Sequence, residues 1–119
     1  MEKILKERKR QRNNVIKSVR AFAKKVKKKL GKVTIVLYGS YVRGDFNLWS
    51  DVDILIVSEA FNNVRFLDRY ELFKNEEKPG FEPKPYTPEE FKQIINKTGW
   101  KGALKNRIIL IDDYKFFNE

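Results

Sequence analysis

Apolar residues in the first thirty positions fall at Val15, Val19, Phe22, Val26 and Leu30, three and four apart, which predicts an amphipathic helix over about residues 1–30. Gly31 and the preceding Lys27, Lys28 and Lys29 suit its C-terminal end. The pattern then changes. KVTIVLYG, residues 32–39, is rich in β-branched side chains and stops at glycine, a strand. SDVDILIV, residues 50–57, predicts a second strand, and the intervening GSYVRGDFNLW has room for one or two helical turns. Val64, Leu67, Tyr70 or Glu71, and Phe73 are spaced for a helix over 63–77, with its acids on a solvated face. KPGFEPKPY reads as extended. Thr87-Pro88-Glu89-Glu90 is a helix start, with a threonine cap, proline at the first position and a glutamate three residues on. That helix is expected to end near Gly99, and a last short strand runs from Ile108 to Ile111. The order αβαβαβαβ predicts an α/β (α+β) layered fold: a small mixed sheet of three to four strands with helices packed on it. No repeat or linker divides residues 1–119, which reads as a single domain.

Composition narrows the chemistry. With 41% hydrophobic and 35% charged residues, the chain has the makeup of a soluble globular protein. It contains no cysteine and no histidine, so any metal must be held by carboxylates, hydroxyls and carbonyls, which favours a hard cation such as Mg²⁺ or Mn²⁺. No apolar stretch predicts a membrane span or a signal peptide, and the cytoplasm is the expected location.

The net charge of +10 is concentrated. Residues 1–32 hold 14 Lys/Arg and 2 acids, or +12, whereas the remaining 87 hold 12 and 14, or −2. A helix with a solvated basic face is the favoured reading, ahead of a surface for nucleic acid or an acidic partner.

The candidate site lies in YGSYVRGDFNLWSDVDILIV, residues 38–57. Asp51 and Asp53 are two apart on a predicted strand, so both project to one face. Adjacent carboxylates raise each other's proton affinity unless a cation is shared between them. Gly39 and Ser40 close the preceding strand, where glycine lets an anion approach the backbone and a helix start offers free amides. Arg43, about one turn later, can reach the same anion. Metal-binding carboxylates facing a phosphate cradle suit phosphoryl or nucleotidyl transfer. The P-loop GK[ST] is absent.

Gly39-Ser40, ten residues, then Asp51-Val52-Asp53 and an apolar run resembles the nucleotidyltransferase motif of the DNA polymerase beta superfamily. Arg43-Gly44-Asp45, Ser50 and the Tyr86–Phe91 segment are similar to its compact members, the minimal nucleotidyltransferases. The resemblance implies the nucleotidyltransferase fold, with Gly39 and Ser40 binding the triphosphate of an NTP, ATP foremost, and Arg43 supporting the phosphates or bracing the loop. Asp51 and Asp53 would hold Mg²⁺ (or Mn²⁺) while an acceptor hydroxyl attacks the α-phosphorus and pyrophosphate leaves. It also implies a third catalytic, metal-binding carboxylate on a neighbouring strand. Glu82 is the candidate, since Pro83 and Pro85 remove donors from one edge of its segment while Glu82, Lys84 and Tyr86 share a face. Asp112 and Asp113 are its rivals. Trp49, beside the metal strand, could line the nucleotide site. Minimal nucleotidyltransferases often pair with small helical HEPN proteins in toxin–antitoxin systems and add AMP to a partner tyrosine. The resemblance therefore implies a HEPN-type partner. The alternative is a non-catalytic module that keeps the fold and binds RNA or protein through the basic helix.

Overall fold

The computed structural model describes residues 2–47 and 50–117. Its centre is a four-stranded sheet in the order β3-β2-β1-β4, with β1 spanning Thr34–Tyr38, β2 Val52–Val57, β3 Phe81–Tyr86 and β4 Arg107–Asp112. The sheet is mixed: β1 is antiparallel to both β2 and β4, and β3 runs parallel to β2. All five residues of β1 are buried, as expected of a central strand covered on both faces. β3 pairs only with β2, and an edge strand tolerates the missing donors of Pro83 and Pro85.

Side-chain alternation divides the core into two layers. On one face Ile35, Leu37, Ile54 and Ile56 meet helix α1, Glu2–Leu30, through Val19, Phe22, Ala23 and Val26. On the other, Val36, Leu55 and Val57 pack under Phe91 and Leu104, which belong to or follow α3, Pro88–Ile94, and α4, Thr98–Ala103. Full burial of each large apolar side chain contributes about 1.5–3 kcal/mol, so both layers are needed. The parallel β2–β3 pair requires a crossover, and Phe61 and Phe73 seat that connection in the α1 layer.

The expected helix over 63–77 is instead two short 3₁₀ segments, Phe66–Leu72 and Lys74–Glu76. Leu67, expected on the buried stripe, is 75% exposed. Tyr70 and Phe73 face the core three apart, a spacing that suits the tighter 3₁₀ turn. Arg69 is drawn inward to the carbonyls of Val64 and Pro85 and to Glu90. The acids of this stretch are not all simply solvated, because Glu76 pairs with Lys29 of α1 at 2.6 Å.

The helix begun by Thr87 also stops early. Both halves of its capping box form, Glu90 N to Thr87 Oγ1 at 3.1 Å and Thr87 N to Glu90 Oε1 at 2.9 Å. After Ile94 the chain turns, and Gly99 lies inside α4 rather than at a helix end. The turn brings the Trp100 ring within 5.5–6.0 Å of Tyr38, Tyr86 and Phe91. No helix among the described residues is long and apolar enough to cross a membrane.

Candidate active site

Antiparallel pairing brings the end of β1 to the beginning of β2, with Tyr38 opposite Asp53. Between them the chain makes a tight excursion. Gly39 takes φ 84°, ψ −156°, which is essentially confined to glycine. A single-turn helix α2, Ser40–Arg43, follows and ends at Gly44 in the left-handed conformation. Gly39 is required for a second reason: a Cβ there would lie 2.2 Å from Asp53 Oδ2. Backbone and carboxylate thus approach more closely than any side chain would permit.

An open hollow of about 390 Å³ forms at this junction, lined by Tyr38, Gly39, Ser40, Arg43, Ser50, Asp51, Asp53 and Ala103. All five residues expected from the glycine–serine and aspartate motifs meet in it. Ala103, contributed by α4, had no signal in the sequence. The Val42 and Arg43 amides bond to the Gly39 carbonyl at 3.1 Å, leaving those of Ser40 and Tyr41 as the first-turn donors that a helix does not itself use. Arg43 Nε lies 3.3 Å from Asp45 Oδ2 at the half-exposed rim.

Glu82 is not part of that lining, but the parallel β2–β3 register makes it the direct neighbour of Asp53 on the same face. Its Oε1 lies 3.4 Å from Lys84 Nζ. Among the described residues, no three acidic side chains are arranged as they stand to hold a metal ion. The rivals lie elsewhere. Thr34, at the far end of β1 from Tyr38, is opposite Asp112 and donates to its Oδ1 at 2.9 Å. Asp112 also caps the Phe116 and Phe117 amides, and Asp113 accepts from Lys27 and the Val33 amide. Both have structural work distant from the hollow. Trp49 lies outside the described residues.

Burial, then the neighbouring Glu82 and Asp51 charges, raise the proton affinity of Asp53; Lys84 and Arg43 oppose the shift. Burial also raises that of the Tyr38 hydroxyl, with Asp53 adding to it, so Tyr38 stays neutral. A carboxylate crowded by others is relieved by a shared cation. The donors are all oxygens, which matches a hard divalent ion such as Mg²⁺ or Mn²⁺. Asp51 and Asp53 therefore fit such an ion in chemistry.

The profile of the nucleotidyltransferase domain matches residues 19–114, most of the chain. The chain belongs to this family. The match begins within α1 and contains every residue of the hollow. The fold agrees with the crystal structure of a candidate nucleotidyltransferase from Sulfolobus solfataricus, at TM-score 0.66 and 16% identity over 86% of this chain and 84% of that one. No curated protein matches the sequence. Family membership establishes general nucleotidyl transfer and an NTP as substrate.

Proposed function

We propose that the protein moves AMP from ATP to an acceptor hydroxyl, releasing pyrophosphate. The observation that carries this reading is the meeting of the Gly39–Ser40 turn with Asp51 and Asp53 in one hollow. The Ser40 hydroxyl and first-turn amides grip the triphosphate, and Arg43 supports it from the rim. Asp51 and Asp53 would hold Mg²⁺, which when bound supplies charge neutralisation at the phosphates. The acceptor oxygen forms its bond to the α-phosphorus as the bond to the β,γ-pyrophosphate breaks. Glu82, beside Asp53 in register, would take the acceptor proton or complete the metal's carboxylate set.

The choice of AMP and of a protein acceptor rests on the resemblance to minimal nucleotidyltransferases that modify a HEPN-type partner. The basic α1 supports it by favouring fast, salt-sensitive association with an acidic surface. The test is incubation with each NTP labelled at the α-phosphate, with Mg²⁺, alone and with proteins encoded by neighbouring genes, followed by intact-mass measurement. The expected result is an AMP adduct on the partner that disappears with Asp51→Asn. Label appearing only on an RNA end or a small molecule would overturn the protein acceptor but not the chemistry. Wild-type transfer rates in an Asp51→Asn/Asp53→Asn variant would overturn the site.

A further inference from the structure

Two arginines of α1 that precede the family match reach the turn carrying Ser40 and Arg43. Arg12 Nε donates to the Tyr41 carbonyl at 2.7 Å and its Nη2 to the Val42 carbonyl at 3.3 Å. Arg8 Nη2 donates to the Phe46 carbonyl at 2.5 Å and to that of Gly44 at 3.3 Å. The Arg8 guanidinium also lies 4.9 Å from the Phe46 ring centroid. Phe46 in turn stacks on Tyr41, with centroids 4.5 Å apart and planes at 15°.

A four-residue helix cannot sustain itself, and its last carbonyls have no helical partner. A planar guanidinium bridging two successive carbonyls satisfies both and puts positive charge at the negative end of the helix. Tyr41 and Phe46 are buried, so their stack fixes the turn from below while the two cations fix it from the end. The packing of α1 on the sheet does not depend on these arginines. Its buried contacts, Val19, Phe22, Ala23 and Val26, all lie later in the helix, and residues 2–7 are exposed.

We propose that Arg8 and Arg12 are positioning residues for nucleotidyl transfer. They hold the Gly39–Ser40 turn and Arg43 in the geometry that grips the triphosphate, without themselves touching substrate. The inference rests on the proposed function and extends it, because Arg8 and Arg12 of α1 then set the geometry of the turn that binds the nucleotide. Displacement of a binding group by about 1 Å can cost about 100-fold in rate.

The experiment compares Arg12→Met and Arg8→Met with Arg10→Met, which removes the same charge from an exposed position paired with Glu7 one turn away. Three quantities are measured: amide hydrogen exchange over residues 40–47, NTP kinetics and melting temperature. In Arg12→Met, exchange across the turn should rise and kcat/KM should fall by about 10- to 100-fold. Most of that fall should come through the KM for NTP, with little change in melting temperature. Arg12→Lys, which keeps the charge but not the fork, should recover only part of the loss. Arg10→Met should match the wild type. Equal exchange and kinetics in Arg12→Met and Arg10→Met would overturn the proposal, as would full recovery by Arg12→Lys. A fall in activity matched by a fall in melting temperature in both Arg8→Met and Arg12→Met would reduce the arginines to a general structural role. If the wild type transfers no nucleotide, the proposed function fails, and the exchange comparison alone still decides whether the arginines hold the turn.

Discussion

At the mouth of β2, the Asp53 carboxyl is partly withdrawn from water beside Glu82 and Asp51, and its proton affinity rises. A raised carboxyl pKa lowers stability as pH climbs from the ordinary 3.8 through the folded value, because the unfolded chain releases the proton more readily. The loss is complete once the pH exceeds the folded value. Asp53→Asn keeps the side chain's shape and removes the charge, so metal-free Asp53→Asn should melt a few degrees above the metal-free wild type at pH 7. Mg²⁺ should raise the wild-type melting temperature and leave that of the variant nearly unchanged. A variant melting below the wild type would contradict the crowding of these carboxylates. At this scale the sequence was informative where chemistry and spacing coincide. The alternation of Asp51 and Asp53 and the glycine before Ser40 could be read directly. The 2.2 Å approach of Asp53 Oδ2 to a Gly39 Cβ depends on the antiparallel register, which spacing alone does not specify.

Among the elements, Arg69 joins three, one of them the edge strand β3 of the site-bearing sheet. Its guanidinium makes a two-pronged contact with Glu90 at 2.7 and 3.0 Å and also reaches the Val64 and Pro85 carbonyls at 3.0 and 3.2 Å. The 66–72 segment, the end of β3 and the start of α3 are thereby fastened together. Chiefly through the Arg69 hydrogen bonds, the Glu90 pKa falls from 4.5 to about 2. A lowered pKa means that the stabilisation is present above the unfolded value and is lost as pH falls from 4.5 towards 2. Arg69→Met should therefore cost about 2 kcal/mol near neutrality, a moderate figure because Glu90 is half exposed. The wild type's advantage should shrink across that acid range. Urea titrations at several pH values would measure it, and an advantage independent of pH would contradict the assignment. The Thr87 cap and the four strands were legible because their signals are local. The 63–77 segment was not, because its conformation follows from a charged residue pulled inward by partners up to 21 residues away. Arg8 and Arg12 were equally hidden: in sequence they are two cations among many, and their acceptors lie 29 to 38 residues on.

Across the whole molecule, the longest dimension of 50 Å matches α1, whose 29 residues extend about 43 Å. The basic helix covers one face of the sheet, and the carboxylates open towards the other. A positive field beside the Gly39–Ser40 turn favours the approach of an anionic nucleotide. The layered order of helices and strands and the meeting of these residues in one hollow could be anticipated, since the Gly39-Ser40 to Asp51-Val52-Asp53 spacing joins two readable strands. The central claim is that this turn and these aspartates together bind a metal–nucleotide complex. Calorimetric titration of ATP tests it most directly, because binding requires no knowledge of the acceptor. The wild type should bind ATP markedly more tightly with Mg²⁺ than with EDTA, and Asp51→Asn/Asp53→Asn should lose that difference. Equal affinity with and without Mg²⁺ in the wild type, or an undiminished Mg²⁺ effect in the double variant, would contradict the account.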